Sequence, residues 1–304
     1  ADGPATGTRA LDLRVLGGID LRLLPDRGLD LGGAWYGGLP LHWLSAVGEI
    51  RPLSEPRDED WASAFGGGLV TTCGLRNVGA PSEGHGLHGA YSHQRARVVS
   101  TERVQDDGPA LRVRGVVREG AALGPTLEVQ RTWTTWLGRG RVRLADVTTN
   151  LGATPEPAPL LYHVNVGPAL WAPGSSLVVA RHGRTLARDP EAAAGEPWDE
   201  APHPTVAPER VWEHELTPDA DGLGTVVVRS HARGLTLTLR WDATTLPRVH
   251  QWVHPAPGVY ALGLEPANCS VLGRAHDRAE GRLPVLEPGE RRHTSLEITV
   301  EPDR

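Results

Sequence analysis

The stretch TLEVQRTW, Thr126 to Trp133, alternates apolar with polar side chains. A period of two is typical of a strand with one buried face, because successive side chains of a strand point to opposite sides. The same period recurs in LRVRGVV (residues 111–117), LTLTLRW (residues 235–241) and SLEITV (residues 295–300). The chain is therefore predicted to be a sheet protein.

Helical patterns are few. The clearest is EPRDEDWASAF (residues 55–65), where Pro56 and acidic residues stand where a short helix would begin. Because long amphipathic helices do not separate the strands, the sequence favours an all-β antiparallel sandwich over a parallel α/β fold. Residues 187–210 lack periodicity and are interpreted as a long surface excursion. Strand patterns resume directly after it, so a single domain over residues 1–304 is expected.

Charge and composition argue against several classes of function. The 31 basic residues are outnumbered by 37 acidic ones, for a formal net charge of −6, and no basic cluster suited to nucleic acid occurs. No apolar run approaches the roughly 20 residues of a membrane span. The first residues lack the order of a signal peptide, which favours a cytoplasmic location. Cys73 and Cys269 are far apart, which favours two buried, reduced thiols.

A glycine-rich stretch, EGHGLHGAYSHQ, is the first candidate for a functional site. Gly84, Gly86 and Gly89 make a helix improbable there, so His85 and His88 are not expected to share a helical face. Glycines also let a backbone approach a ligand closely. A polar turn with incidental histidines explains the stretch equally well.

The second candidate is LLYHVNVG, residues 160–167. If it is a strand, His163 and Asn165 project from one face, and Tyr162 and Val164 from the other. The face that carries Tyr162 is otherwise apolar and is expected to lie in the core. The face that carries the imidazole and the amide then lines either a cleft or solvent.

The third candidate is GVYALGLEPANCSVLGR, residues 258–274. Alternation places Glu265 on the same face as Ala261 and Gly263, which leave room beside the carboxylate. A carboxylate next to apolar walls has a raised pKa, which suits a general base near neutral pH. Trp252 lies nearby in the sequence, and its flat apolar face suits stacking on a sugar or another ring as well as core packing. A strand-end glutamate in water is the alternative.

Other catalytic patterns are missing from the sequence. No serine stands in a GxSxG elbow, no GxGxxG opens a helix, and a phosphate-binding loop with lysine is excluded because the chain has no lysine. Acid and base groups without a nucleophile or cofactor favour proton transfer on a neutral, hydroxyl-rich ligand. Isomerisation fits that description.

Five blocks in order carry a family resemblance: PDRGLDLGGAWYGGLPLHW, GGGLVTTCGLRNVGAPSEGHGLHG, LYHVNVG, TLPRVHQWVHPAPGVYALGLEPAN and LEPGE. They run from about Pro25 to Glu290, and in this order the chain resembles the aldose 1-epimerase-like family of the galactose mutarotase superfamily. The resemblance implies a β-supersandwich of two large antiparallel sheets with a sugar cleft on the concave face.

The resemblance also implies roles for particular residues. Glu265 of GLEP falls on the base that removes the proton of the anomeric hydroxyl, and His163 of LYHVNVG falls on the acid that protonates the ring oxygen. His88 of GLHG falls on a histidine that holds the sugar, and Arg76 of GLRNVG on a sugar-binding arginine. The expected ligand is a monosaccharide or modified sugar, with no cofactor and no metal.

Two alternatives stay open at this point. One is a non-catalytic sugar-binding or sensor protein that keeps the cleft and its tryptophans. The other is a metal-dependent sugar isomerase or lyase with His85, His88, His163 and Glu265 as ligands, although HxxH in a glycine-rich coil is a weak pattern. The sequence does not name the sugar, and it leaves the oligomeric state open, with a homodimer among the options.

Overall fold

The computed structural model describes residues 3–194 and 197–303, and these ranges are mostly β-structure. The strands of the described residues, in chain order, are β1 Leu11–Leu13, β2 Ile19–Leu24, β3 Asp30–Tyr36, β4 Leu39–Pro40, β5 Trp43–Leu44, β6 Gly67–Gly68, β7 Val70–Gly74, β8 Arg97–Gln105, β9 Pro109–Gly120, β10 Thr126–Trp136, β11 Arg141–Asn150, β12 Glu156–Pro157, β13 Leu160–Val166, β14 Ser176–Val179, β15 His182–Ala187, β16 Arg210–Leu216, β17 Leu223–Ser230, β18 Leu235–Asp242, β19 Arg248–His254, β20 Ala261–Ala267, β21 Val285–Leu286 and β22 Arg291–Pro302. The helices are α1 Asp60–Ser63, α2 Pro190–Ala193 and α3 Arg274–Ala279, with short 3-10 turns at Gly3–Ala5 and Tyr91–His93.

Two large antiparallel sheets organise the strands. The first has ten strands in the order β1-β2-β3-β7-β13-β20-β19-β16-β15, with β4 beside β3. The second has eight, in the order β14-β17-β18-β22-β11-β10-β9-β8. The predicted all-β antiparallel fold with few short helices is confirmed.

The four alternating stretches of the sequence lie in β9, β10, β18 and β22 of the second sheet, where β18 pairs with β22, β9 pairs with β10, and β11 lies between the two pairs. Their inward side chains, among them Val113, Trp133, Leu239 and Ile298, are almost completely buried and belong to one apolar core. This core lies between the two sheets and supplies the main driving force for folding.

Arg131 breaks the apolar pattern inside this core. It is 1% exposed, and its guanidinium forms ion pairs with Asp30 of the first sheet and Asp146 of the second, at 2.5 and 2.7 Å. Tyr162 donates its hydroxyl hydrogen to the same Asp146 at 2.7 Å. The two carboxylates share one guanidinium, and hydrogen bonds from Thr72 to Asp30 and from Tyr162 to Asp146 satisfy further oxygen atoms, so the network links the two sheets.

Strand β13 is buried along its whole length. Tyr162, Val164 and Val166 face the core between the sheets, as alternation predicted. Leu161 belongs to a second, smaller apolar cluster with Trp43 and Trp61, among others, on the opposite face of the sheet. His163 shares that opposite face, and the site is built there.

Two features differ from, or refine, the sequence interpretation. The helix expected within residues 55–65 is a single turn, Asp60–Ser63, in which Trp61 is buried. Cys73 and Cys269 are both buried and unpaired, as predicted. Among the described helices, none is long and apolar enough to cross a membrane.

The segment at residues 187–210 is packed at several points. Ala192 and Ala201 are buried in the core cluster, and Gln251 donates a hydrogen bond to the carbonyl of Trp198 at 2.7 Å. Residues 195 and 196 lie outside the described part of the chain. The interpretation as a surface excursion is therefore incomplete, because buried alanines anchor the segment on both sides of those two residues.

Candidate active site

A cleft of about 550 Å³ opens on the face of the ten-stranded sheet that points away from the core. Its floor carries His163 from β13 and Glu265 from β20. These two strands are hydrogen-bonded neighbours, which explains how side chains about 100 residues apart in sequence come together. The fourth sequence block contributes Trp252 from β19, the next strand of the sheet.

Cross-strand register arranges polar side chains in a row beneath the cleft. Glu213 of β16 is the register partner of His250 on β19, and His250 is the register partner of Glu265 on β20. Residues in register lie close enough for their side chains to interact. Glu265 therefore has a histidine on each side, His250 on one strand and His163 on the other.

The closest contact in the cleft joins His163 Nε2 and Glu265 Oε1 at 3.1 Å. Both residues are almost inaccessible, at 4% and 3% exposure. Gly263 makes this approach possible, because a Cβ at that position would lie 2.8 Å from His163 Cε1 and 2.9 Å from Glu265 Oε1. The room that the sequence predicted beside the carboxylate is thus occupied by the imidazole.

Burial shifts both groups of the pair toward neutrality. Desolvation raises the pKa of Glu265 to about 7 and lowers the pKa of His163 to about 4. His250 opposes this rise in the pKa of Glu265, because a positive charge on its ring favours the ionised carboxylate. Between about pH 4 and pH 7 the pair therefore holds one proton, which lies mainly on Glu265; the form with Glu265 ionised and His163 protonated is the minor one.

His88 lies beside this pair on a constrained backbone. Its φ is +55°, its N–H donates to the carbonyl of Gly79 at 2.9 Å, and its carbonyl accepts from Gly74 at 2.9 Å. The N–H of Gly79 also donates to His88 Nδ1 at 3.3 Å. Since Nδ1 is the acceptor, the ring carries its hydrogen on Nε2, and desolvation lowers its pKa to about 3. His88 is therefore a neutral hydrogen-bond donor at the cleft.

Aromatic side chains form much of the remaining surface. Trp61 of α1 stacks on Phe65 with ring centroids 4.3 Å apart, and its ring is 4.5 Å from that of His88. Trp252 meets His163 edge to face, at 5.5 Å between centroids. Flat apolar surfaces around an acid–base pair suit a ring-shaped ligand with apolar faces and a polar edge.

An ion pair holds one side of the cleft in place. Arg188 Nη2 donates to Glu209 Oε1 at 2.9 Å, and Trp252 Nε1 donates to Glu209 Oε2 at 2.7 Å. Burial alone would raise the pKa of Glu209, but the hydrogen bonds from Arg188 and Trp252 outweigh it and hold that pKa below its usual value. The ionised carboxylate thereby fixes the orientation of Trp252.

Asn165 supports the floor of the cleft rather than lining it. Its amide nitrogen donates to the carbonyls of Gly68 at 2.9 Å and of His163 at 3.1 Å, and the residue is fully buried. The sequence placed His163 and Asn165 on the same face, which the strand geometry shows. The surrounding chain then covers Asn165 and leaves only His163 at the cleft.

Arg76 and His85 lie away from this cleft. Arg76 donates to Glu156 at 2.9 Å and to the carbonyl of Pro125 at 2.8 Å, so its guanidinium is engaged elsewhere. His85 lines a separate depression with Glu83. The structure therefore brings His88, His163, Trp252 and Glu265 together and leaves Arg76 and His85 outside. The loops that carry these two residues have no strand register to fix their direction from sequence.

Several lining residues were not anticipated from sequence, among them Trp61, Phe65, Arg188 and Glu209. Arg188 and Glu209 stand near the two ends of the aperiodic segment 187–210, whose charged ends were the available indication. Trp61 and Phe65 belong to the predicted helical stretch, where an apolar pair amid acidic residues indicated one buried side.

The four side chains that the metal-dependent alternative would use as ligands do not lie together. His85 lies in a different depression from His88, His163 and Glu265. Across residues 3–194 and 197–303, no group of three or more His, Cys, Asp or Glu side chains is arranged to hold a metal ion.

Comparison with solved structures identifies the architecture. A protein named "putative aldose 1-epimerase" from Klebsiella pneumoniae superposes with a TM-score of 0.93 at 23% identity, covering 100% of this chain and 82% of the other. The GalM/aldose epimerase homologue from C. elegans gives 0.64 at 13% identity, over 98% and 100% of the two chains. A galactose mutarotase-like protein from Clostridium acetobutylicum gives 0.63 at 12% identity, over 97% and 99%. No curated protein matches the chain.

The two-sheet sandwich and its cleft thus define a protein of the galactose mutarotase-like fold class. Within that class, the chain belongs to the family described as Domain of unknown function (DUF4432), whose model matches residues 5–300.

Proposed function

We propose that this protein is an aldose 1-epimerase that interconverts the anomers of a free sugar, with Glu265 as general base and His163 as general acid. The observation that carries the proposal is the 3.1 Å contact between these two side chains on the floor of a cleft with aromatic walls. The same two residues carry the base and the acid in the family resemblance of the sequence.

The chemistry needs one proton acceptor and one donor on a single ligand. Glu265 removes the proton of the anomeric hydroxyl while His163 protonates the ring oxygen, and the bond between the anomeric carbon and the ring oxygen breaks. The open-chain aldehyde rotates about its bond to the next carbon, and the reverse proton transfers close the ring in the other configuration. Proton count and atoms are unchanged, so no cofactor enters the balance.

Burial raises the pKa of Glu265 to about 7, which matches a general base to neutral pH. The same burial lowers the pKa of His163 to about 4, so the reacting form, with the proton on His163, is a minor form of the free pair. Each acid–base group contributes about 10²- to 10⁴-fold, which suffices for a reaction that already proceeds in water. His88 supports the same step, since its Nε2 hydrogen is available to an oxygen atom of the sugar. Trp61 and Trp252 supply the surfaces against which the ring lies.

Anomer exchange measured by NMR across a panel of free hexoses and pentoses tests the proposal. Glu265→Gln and His163→Ala are each expected to lower exchange by about 10²-fold or more. Glu301→Gln and His203→Ala change exposed residues that do not line the cleft and serve as matched controls. Exchange at the parent rate in both site variants would show that the assignment is wrong.

Calorimetry on the same panel separates catalysis from binding. A sugar that binds the parent with no exchange above the uncatalysed rate would favour a sugar-binding protein without epimerase activity. Sugar binding together with exchange that the site variants lose supports the enzyme.

A further inference from the structure

One wall of the cleft is entirely aliphatic. It consists of Ala80, Pro81, Leu87, Val271 and Leu272, and we call it the aliphatic wall. Two distant chain segments form it, joined by a hydrogen bond from Ala80 N to the carbonyl of Val271 at 3.2 Å. Gly79 allows this approach, because a Cβ there would lie 2.0 Å from the carbonyl oxygen of Val271.

The aliphatic wall is accessible although it is apolar. Leu272 is 47% exposed, and Ala80 and Pro81 are exposed as well. The aromatic surfaces of Trp61, Trp252 and Phe65 already serve the flat faces of a sugar ring. The aliphatic wall is additional to them and lies beside the same acid–base pair.

Polar groups that could bind hydroxyls are few in the cleft. Of the 17 lining residues, six have polar side chains: Glu59, His88, His163, Arg188, Glu209 and Glu265. His163 and Glu265 contact each other, and Arg188 and Glu209 are paired with each other. Glu209 also accepts a hydrogen bond from Trp252. A hydroxyl group packed against the aliphatic wall would gain no side-chain partner from it and would lose part of its hydration.

We propose that the cleft selects a sugar in which an apolar group replaces a hydroxyl, and that this group packs against the aliphatic wall. A 6-deoxyhexose, with a methyl group in place of the hydroxymethyl group, is the simplest member of the class. This inference rests on the proposed function for the position of the sugar in the cleft. It goes beyond that function by assigning the class of sugar.

The expected preference is about 10-fold or more in favour of the deoxy sugar, because one methyl-sized group in an apolar pocket discriminates by roughly 10- to 200-fold. Matched pairs isolate the effect: D-glucose with 6-deoxy-D-glucose, D-galactose with 6-deoxy-D-galactose, L-mannose with 6-deoxy-L-mannose, and L-galactose with 6-deoxy-L-galactose. Dissociation constants are measured by calorimetry, and exchange by NMR on the same samples.

Leu272→Asn tests whether the aliphatic wall causes the preference. The residue is half exposed, so the change costs little stability, and it places an amide where the methyl group would pack. The variant is expected to lose the preference, because it removes the apolar contact of the methyl group and offers a hydroxyl group a hydrogen-bond partner. Leu123→Asn is the matched control, because the side chain of Leu123 is fully exposed and does not line the cleft.

Several outcomes would overturn the inference. These are equal or tighter binding of the hydroxylated sugar in every pair, no binding of any sugar, or a preference that survives Leu272→Asn. If Leu272→Asn changes only the oligomeric state in light scattering, the aliphatic wall is a protein interface and the inference is wrong. A preference in binding without exchange in any sugar would instead support the class of sugar and reject the epimerase activity.

Discussion

The imidazole of His163 lies directly over Gly263, where a single added methyl group would come within 2.8 Å of the ring. Gly263 is in β20, in register with Asn165 of β13, so backbone movement to relieve a clash is opposed by the hydrogen-bonded ladder. The contact between His163 and Glu265 therefore depends on the absence of a side chain at this position.

Gly263→Ala is expected to lower anomer exchange by about 100-fold, because a displacement near 1 Å is enough to misalign an acid–base pair. It should also cost about 1 to 3 kcal/mol of unfolding free energy through overpacking. NMR exchange and urea unfolding measure the two effects. Gly124→Ala, at an exposed turn, is the control. If Gly263→Ala exchanges anomers at the parent rate, the role assigned to Gly263 is wrong.

The pH dependence of exchange is expected to be bell-shaped. Between about pH 4 and pH 7 the form with Glu265 ionised and His163 protonated is a constant minor fraction of the pair. That fraction falls below about pH 4, where both groups are protonated, and above about pH 7, where both are deprotonated. The rate is thus highest when the pair holds one proton. Initial exchange rates from pH 3 to pH 9, corrected for the uncatalysed reaction, check this. A rate that rises continuously to pH 9 would exclude His163 as the acid.

His88→Phe tests the neutral donor at the cleft. Phenylalanine keeps the ring that packs on Trp61 but removes the Nε2 hydrogen, so sugar binding is expected to weaken about 5-fold, as for loss of one hydrogen bond. His85→Phe changes a histidine three positions away that lies in a separate depression. Calorimetry on both variants should show weakening only for His88→Phe, and equal effects would remove His88 from the site.

Arg131→Met tests the ion network between the sheets. Asp30 and Asp146 would be left buried without a counter-charge, and the expected loss is about 3 to 5 kcal/mol of unfolding free energy. Arg118→Met breaks the ion pair with Glu128 at a largely exposed side chain and should cost less than about 1 kcal/mol. Urea midpoints at unchanged slope measure both. Similar losses in the two variants would mean that the buried network stabilises the protein no more than an exposed ion pair does.

Arg131 also shows that side-chain alternation does not predict the pairing of buried charges. It stands two residues from Val129 and two from Trp133, on the inward face of β10, where alternation predicts an apolar side chain. Its partners come from β3 and β11, and no local pattern indicates that Asp30 lies opposite it. Pairing of buried charges is a property of the assembled sheets.

The candidate site divides in the same way. His163 and Glu265 sit on strands, and period two gave the correct face for each before their neighbours were known. Arg76 and His85 sit in the glycine-rich loops around the second sequence block, where glycine backbone freedom removes any fixed direction. Their predicted contacts with a sugar are not supported by their positions. The single-domain organisation and the catalytic roles stay predictions.

The sequence by itself determined that the chain is an antiparallel β protein, that Tyr162 and Val164 face a core, and that His163 and Glu265 face the other way. Side-chain alternation is a local property of a strand, so it survives without knowledge of the fold. Tertiary structure alone decided that β13 and β20 are neighbours, that Gly263 admits the imidazole, and that Arg188 and Glu209 reach the cleft. Those relations depend on which strands pair and on where residues 187–210 rejoin the sheet. Both are set by the free energy gained from apolar burial over the whole molecule.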